Sequence, residues 1–271
     1  MFLIKDHIPT QENYEDFLRK FMNGLRDIDG VTLMIYGSFM RGDHVPGRSD
    51  IDALLALHDN VVTDKPKLER MARIFSDAQE GNDVRFQVTV ADRTTLADGR
   101  FNSYGASFLQ YFERESKFLV GDGLLDLMAF MEERSDDLHN MAYNLRKARQ
   151  GLLLFDYLKR WDERYPNPDL IGKLPEKFEK SMDAVTRGSK QMLHLMDGRT
   201  RGYRFQTEEL REIFPNVDLN PLEELQRLYR NVPALRKVFD QPEEMLKLWQ
   251  EGLTMWECLI KEYMNMGDNG E

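Results

Sequence analysis

Strand-like and helix-like hydrophobic patterns occupy different parts of this chain. Residues 31–36 and 51–57 form nearly continuous apolar runs, and residues 84–90 alternate between apolar and polar side chains. A continuous apolar run is typical of a strand buried on both faces, and a period of two is typical of a half-buried strand. We therefore expect one sheet in which the first two segments are neighbours, with residues 117–120 as a short fourth strand.

Segments with the hydrophobic spacing of helices precede and follow these strands in the sequence. Thr10 can cap a helix whose apolar residues recur every three or four positions until Gly30. Asp64 and Pro66 can begin a second helix, since Pro is favoured in the first turn. A third helix is predicted over about residues 103–115. The first 121 residues are thus predicted to form a mixed α/β (α+β) domain.

After Gly123 the pattern is helical throughout. Helices are predicted at about 124–132, 136–164, 173–197, 207–213, 221–230 and 242–265. The change of period predicts two domains: residues 1–121 with the sheet, and residues 122–271 as an α-helical bundle. The three tryptophans of the bundle are expected to be packing residues.

Composition and charge narrow the functional class. The chain is 41% hydrophobic, 11% aromatic and 31% charged, as in soluble globular proteins. Its 37 basic and 47 acidic residues give a net charge of −10, which argues against broad nucleic-acid binding. The longest apolar runs fall far short of the roughly 20 residues that span a bilayer, and the first residues do not resemble a secretory signal. We expect a cytoplasmic protein that does not bind membranes, and a homodimer is compatible with the sequence.

A single cysteine, Cys258, excludes an intrachain disulfide and a cysteine-based zinc cage. Because it lies between Trp256 and Leu259, we expect its thiol to be in the core.

The two apolar strands flank a motif that can bind phosphate and metal. It consists of Gly37–Gly42 (GSFMRG) followed by Arg48–Asp52 (RSDID). Gly37 directly after a strand allows a sharp turn and close approach of the backbone to a ligand. Ser38 can offer its hydroxyl and amide to a phosphate oxygen, and Arg41 can supply fixed positive charge.

Asp50 and Asp52 are two residues apart at the start of a strand, so their carboxylates project from the same face. Carboxylate oxygens are the ligands that Mg²⁺ prefers, and one or two such ions can activate an attacking hydroxyl and neutralise a leaving pyrophosphate. Ile51 between them is expected to point into the core.

Gly-Ser turns and isolated Asp-x-Asp pairs are common in loops without any function. Here strand, Gly-Ser, Arg-Gly, an interval of 11 residues between Ser38 and Asp50, Asp-x-Asp and second strand occur in one order. This coincidence favours a functional site.

On these residues the sequence resembles the nucleotidyltransferase superfamily of DNA polymerase β, in particular its small bacterial and archaeal branch and the aminoglycoside nucleotidyltransferases. The resemblance covers about residues 10–121 and rests on Gly37, Ser38, Arg41, Gly42, Ser49, Asp50 and Asp52. The helical bundle that follows is similar to the arrangement of kanamycin nucleotidyltransferase.

The resemblance implies a polymerase β-like mixed sheet and a Mg²⁺-dependent transfer of a nucleoside monophosphate to a hydroxyl acceptor. It implies that Asp50 and Asp52 are catalytic and hold the metal. The residues expected to bind the nucleoside triphosphate are Gly37, Ser38, Arg41 and Ser49.

One position departs from the family pattern. The family places a third carboxylate on the strand that is predicted here at 84–90, and the matching residue is Gln87. A neutral amide cannot deprotonate a hydroxyl and is a weak ligand for Mg²⁺.

Three explanations stay open. The first, which we favour, is a base from elsewhere in the chain, with the candidates Asp83, Asp92, Glu132, Glu133, Asp136 and Asp137. The second is a shifted register that makes Asp92 the third ligand. The third is a chain that binds nucleotide without efficient turnover.

The predicted function is transfer of a nucleotide, with AMP from ATP favoured, to a hydroxyl acceptor such as an aminoglycoside-like small molecule. The helical domain is expected to select that acceptor, and its acidic residues suit a cationic one. The alternatives are an antitoxin-type nucleotidyltransferase that modifies a protein or tRNA, and a catalytically silent nucleotide-binding regulatory module.

Overall fold

The computed structural model describes residues 7–98, 104, 106–130, 133–198 and 207–268. The chain forms two compact units, with the division between Asp136 and Asp137. The described residues between 122 and 136, which are predicted from the sequence to belong to the helical domain, belong to the first unit.

A four-stranded mixed sheet organises the first unit. Its strands are β1 (Val31–Tyr36), β2 (Ile51–Leu57), β3 (Phe86–Asp92) and β4 (Ser116–Val120), in the order β3-β2-β1-β4. β1 pairs with β2 and with β4 in antiparallel fashion, and β2 pairs with β3 in parallel. The predicted mixed α/β fold and the pairing of the two apolar strands are confirmed.

In the described residues of this unit the sheet is accompanied by the helices α1 (Gln11–Leu25), α2 (Ser38–Arg41), α3 (Lys65–Gln79), α4 (Arg93–Ala97) and α5 (Ala106–Glu115). Thr10 and Asp64 cap α1 and α3 as expected, each accepting a hydrogen bond from the backbone three residues later. The two short helices, α2 and α4, were not predicted.

Successive residues of the strands face two different cores. Ile51 and Ala53 pack with α1 and α3 on the first face. Tyr36 and Leu54 pack with α4, α5 and residues 124–130 on the second face. Because side chains alternate along a strand, Asp52 belongs to the second face.

The helix predicted at 124–132 is wrong for the residues that the structure describes there. Residues 124–130 form a turn and irregular chain instead. The backbone N–H of Ala129 donates to the carbonyl of Leu96 at 2.9 Å rather than to a helical partner. Leu124 and Met128 are buried in the core on the second face of the sheet. Their apolar side chains are therefore shielded from water without a helix.

The second unit is built from helices around one core. They are α6 (Glu133–Leu153), whose first four residues fall in the first unit, α7 (Phe155–Arg164), α8 (Lys173–Asp197), α9 (Thr207–Ile213), α10 (Asn220–Arg230), α11 (Val232–Phe239) and α12 (Pro242–Asp268). The stretch predicted at 136–164 as one helix is therefore two, and α11 was not predicted. None of the helices in the described part of the chain is long and apolar enough to cross a membrane.

Tryptophans of α12 pack against glycines on neighbouring helices. Trp249 and Trp256 are completely buried. A Cβ on Gly188 of α8 would clash with the indole of Trp256, so this glycine allows close contact between the two helices. Cys258 contradicts the expectation of a core thiol because it is exposed. Two residues along a helix correspond to a rotation of about 200° around its axis, so Cys258 lies nearly opposite Trp256, which points into the core.

Candidate active site

Gly37 forms the turn that follows β1. Its φ of 88° and ψ of −159° lie in a region that is essentially restricted to glycine. A Cβ added to it would lie 2.5 Å from Oδ2 of Asp52. The absence of a side chain at this position therefore allows the Asp52 carboxylate to lie directly against the backbone of the turn.

Helix α2 begins immediately after this turn. The N–H of Arg41 donates to the carbonyl of Gly37 at 3.1 Å, and the N–H of Asp43 donates to that of Ser38 at 3.1 Å. Gly42 ends the helix in the left-handed conformation, with φ of 74°. Ser38, the first residue of this helix, is half-buried.

Asp50 and Asp52 lie at the beginning of β2, where both are half-buried. Asp52 is in register with Tyr36 on β1 and with Gln87 on β3. Residues in lateral register point to the same side of a sheet, so these three side chains form one row across the second face. Asp50 precedes the strand by one residue.

The loop before Asp50 is anchored to α1. The hydroxyl of Tyr14 donates to the carbonyl of Ser49 at 2.8 Å, and it accepts from the N–H of Gly47 at 3.3 Å. The Ser49 hydroxyl accepts from the N–H of Val45 at 2.8 Å. Burial raises the pKa of Tyr14, and Asp50 contributes to the increase. The side chain of Ser49, a predicted nucleotide ligand, thus stabilises the loop that carries Asp50.

Arg41 is held by acidic and phenolic side chains. Its Nε donates to Oδ1 of Asp43 at 3.2 Å, and its Nη1 donates to the hydroxyl of Tyr111 at 3.0 Å and to Oε2 of Glu115 at 2.8 Å. Neither Tyr111 nor Glu115 is predicted from the sequence to belong to the site. They lie about 70 residues away from Arg41 in the sequence, at the end of α5, and no local motif marks them.

Tyrosine side chains also pack together on the second face, where Tyr36 is in register with Asp52. Tyr36 and Tyr111 are in edge contact with ring centroids 6.0 Å apart, and the hydroxyls of Tyr36 and Tyr104 are 3.5 Å apart. Burial raises the pKa of Tyr36, and it raises that of Tyr111 to about 12, with Asp52 adding to both shifts. These phenols are therefore neutral hydrogen-bonding groups at physiological pH.

The register between β2 and β3 shows which residue of β3 lies opposite Asp52, where the family pattern places a third carboxylate. Gln87, which is exposed, lies opposite Asp52, whereas Asp92 lies opposite Leu57. Five residues along a strand correspond to about 16 Å. Asp92 also caps α4, since it accepts from the N–H and the hydroxyl of Thr95 at 2.9 and 2.6 Å. The explanation in which Asp92 is the third ligand is therefore wrong.

The other candidate bases are only partly placed. Asp83 is exposed in the turn before β3, where it adopts a φ of 49°. Glu132 lies outside the described residues, as do the side chains of Glu133, Asp136 and Asp137. Within the described part of the chain, no group of three or more histidine, cysteine, aspartate or glutamate side chains is arranged to hold a metal ion.

Asp50 and Asp52 nevertheless fit one Mg²⁺. Mg²⁺ is commonly bound through one or two carboxylates, with substrate phosphates and water completing its six ligands. Two half-buried carboxylates beside an open turn provide such a partial set. A cavity of about 270 Å³ lies further along β3, lined by Thr89, Asp92 and Tyr104 among others. Neither Asp50 nor Asp52 lines this cavity.

The comparisons with known proteins support the fold that this geometry indicates. No family model and no curated protein sequence matches the chain significantly. Among solved structures, the chain is similar to the spectinomycin adenyltransferase AAD(9) from Enterococcus faecialis, which was crystallised with ATP and spectinomycin. The TM-score is 0.51 at 10% identity, over 92% of this chain and 99% of that one. The chain therefore shares its overall fold with that adenyltransferase, in agreement with the fold that the sequence resemblance predicts.

Proposed function

We propose that the chain is a Mg²⁺-dependent nucleotidyltransferase that moves AMP from ATP to a hydroxyl group of an aminoglycoside-type acceptor. The observation that carries this proposal is the approach of the Asp52 carboxylate to the glycine turn at Gly37, with Asp50 beside it at the start of β2. The likeness in fold to an adenyltransferase crystallised with ATP and spectinomycin supports the choice of donor and acceptor.

Each residue of the motif has a distinct role in this proposal. Asp50 and Asp52 hold the metal, which when bound neutralises phosphate charge and polarises the phosphorus that is attacked. The Gly37 backbone, the Ser38 hydroxyl and Arg41 bind phosphate oxygens of the triphosphate. Ser49 acts by shaping the loop that presents Asp50, because its hydroxyl already accepts from the backbone of that loop.

The reaction joins an acceptor oxygen to the α-phosphorus and breaks the bond between that phosphorus and the bridging oxygen of pyrophosphate. The acceptor loses a proton, and pyrophosphate leaves with the bond electrons. Gln87 cannot take that proton, because an amide is not a base at neutral pH. Asp83 and the acidic residues at 132, 133, 136 and 137 are the remaining candidates for the base.

The position of Gln87 also favours a second candidate function. Its register with Asp52 gives the site one negative charge fewer than a site with three carboxylates. A chain of this kind could bind Mg²⁺ and ATP without efficient turnover and act as a nucleotide-binding regulatory module. Replacing Gln87 by Glu would restore the third carboxylate and is expected to raise the affinity for Mg²⁺ in the presence of ATP.

The test is a transfer assay with purified full-length chain, Mg²⁺ and α-labelled ATP. The acceptors are spectinomycin and other aminoglycosides, tRNA, and cell proteins in separate reactions. We expect label on an aminoglycoside with stoichiometric release of pyrophosphate, and loss of both in Asp50→Asn. Asp122→Asn, in an exposed loop at the other end of the sheet, is the matched control and should retain activity.

The outcomes separate the candidates. Label on tRNA or protein instead would replace the proposed acceptor by the antitoxin-type one. Mg²⁺-dependent binding of ATP without transfer to any acceptor would support the regulatory module. If Asp50→Asn transfers nucleotide as fast as the wild type, the assignment of this site is wrong.

A further inference from the structure

The guanidinium of Arg41 is fixed in one orientation by three side chains. Asp43 accepts from Nε, and Tyr111 and Glu115 both accept from Nη1. The Arg41 side chain is only 15% exposed, and that of Glu115 is 21% exposed. This network is therefore shielded from water more than a surface ion pair would be, and its geometry is correspondingly better defined.

Counting donors shows which part of Arg41 remains for a ligand. A guanidinium carries one N–H on Nε and two on each terminal nitrogen. The three hydrogen bonds use Nε and both hydrogens of Nη1. No hydrogen bond joins Nη2 to any residue that the structure describes. Nη2 is thus the edge of the guanidinium that presents two donors to a bound anion.

This edge lies near the proposed metal site. Arg41 ends the helix that begins directly after the Gly37 turn. The hydroxyl of Tyr111 lies 3.0 Å from Nη1, and the Tyr111 ring is in edge contact with Tyr36, which is in register with Asp52. Asp52, Tyr111 and Arg41 therefore belong to one neighbourhood on the second face of the sheet.

We propose that Tyr111 and Glu115 are positioning residues that direct Nη2 of Arg41 at a phosphate oxygen of the nucleoside triphosphate. This inference rests on the proposed function. Glu115 has two effects of opposite sign: its acceptor oxygen orients the guanidinium, and its charge opposes the approach of an anion. Tyr111 has only the first effect, because its phenol is neutral.

The difference between the two residues makes the test specific. Tyr111→Phe removes one acceptor from Nη1 without changing the charge. Glu115→Ala removes acceptor and charge, whereas Glu115→Gln removes the charge and keeps an acceptor oxygen. We expect Tyr111→Phe and Glu115→Ala to raise the Kd for Mg²⁺-tripolyphosphate and the KM for ATP by about 3- to 10-fold, with little change in kcat. Glu115→Gln should bind at least as tightly as the wild type.

A double-mutant cycle separates positioning from a merely structural role. The ammonium group of Lys is a point charge without the planar fork of donors that a guanidinium has, so it has no plane for Tyr111 to orient. Tyr111→Phe should therefore have little further effect on binding in an Arg41→Lys background. Tyr104→Phe, a buried tyrosine of the same face whose hydroxyl contacts Tyr36, is the control. Its effect should be the same in both backgrounds. Thermal unfolding of every variant identifies loss of affinity that comes from loss of the folded state.

The outcomes distinguish this inference from the proposed function. If the wild type binds Mg²⁺-tripolyphosphate and transfers nucleotide, but Tyr111→Phe and Glu115→Ala bind as the wild type does, only the positioning role is wrong. Effects that add in the Arg41→Lys background would overturn it in the same way. If the wild type binds neither tripolyphosphate nor ATP, both proposals fail.

Discussion

Substitution of Gly37 by Ala tests whether the turn after β1 exists to admit the carboxylate of Asp52. A backbone with φ of 88° and ψ of −159° costs an L-residue about 1–3 kcal/mol. The new Cβ would also lie 2.5 Å from Oδ2 of Asp52, and such overpacking costs about 1–3 kcal/mol more. The reduced freedom of the unfolded chain returns only about 0.4–1 kcal/mol. The net loss of stability is therefore expected to be about 1–5.5 kcal/mol, with a middle value of about 3 kcal/mol.

Gly81→Ala is the matched control for this experiment. Gly81 has a similar φ of 76°, but a Cβ there would meet nothing within 4 Å. It should cost about 0–1.5 kcal/mol net, because the strain of a left-handed residue, about 1–2 kcal/mol, is partly offset by the same entropy gain of about 0.4–1 kcal/mol. The assay is urea denaturation at 25 °C, followed by calorimetric titration of the folded variants with Mg²⁺ and ATP.

We expect both variants to be less stable than the wild type, and only Gly37→Ala to bind Mg²⁺-ATP more weakly. The reasoning would be refuted by a Gly37→Ala chain that is no less stable than Gly81→Ala and binds as the wild type does. That result would mean that the carboxylate of Asp52 is not constrained by the turn.

Two further predictions concern stability away from the site. Asp92→Ala should cost about 1 kcal/mol at pH 7, because it removes the cap of α4. Burial raises the pKa of Asp92, but hydrogen bonds from Thr95 outweigh it and lower the pKa overall. The stabilisation is therefore complete above the unfolded pKa of about 3.9 and is lost as the pH falls through the lower folded value. The measurement is the difference in unfolding free energy between the wild type and Asp92→Ala as a function of pH. A difference that stays constant from pH 7 to pH 2 would contradict the prediction. Gly188→Ala should destabilise the chain by up to about 2 kcal/mol, because the clash with Trp256 costs about 1–3 kcal/mol and the gain in helix propensity offsets about 1 kcal/mol. Denaturation followed by tryptophan fluorescence measures it, and an unchanged or raised midpoint would show that the two helices can separate without cost.

The strands that carry the site were predictable because they are buried on both faces. Both β1 and β2 begin and end where the apolar runs do. A short apolar run between turn residues is typical of a central strand, because both faces of such a strand are buried. β3 is shifted by two residues from its alternating pattern. At an edge strand the pattern is a weaker guide, because Gln87, Thr89 and Val90 are all exposed there.

Contacts between distant segments were not predictable. The partners of Arg41 on α5 are separated from it by most of the sheet domain, and the sequence around Tyr111 and Glu115 resembles any amphipathic helix. The predicted helix after Gly123 failed for a related reason. Its apolar residues have helical spacing, but their burial under the sheet and the hydrogen bond from Ala129 to Leu96 stabilise a turn instead.

The central claim is that Asp50 and Asp52 bind a divalent cation together with a nucleoside triphosphate at the glycine turn. Anomalous diffraction from crystals grown with Mn²⁺ and a non-hydrolysable ATP analogue tests it directly. The claim predicts a manganese peak coordinated by both carboxylates, with the triphosphate beside Ser38. A nucleotide bound elsewhere, or a map with no peak at these two aspartates, would contradict it.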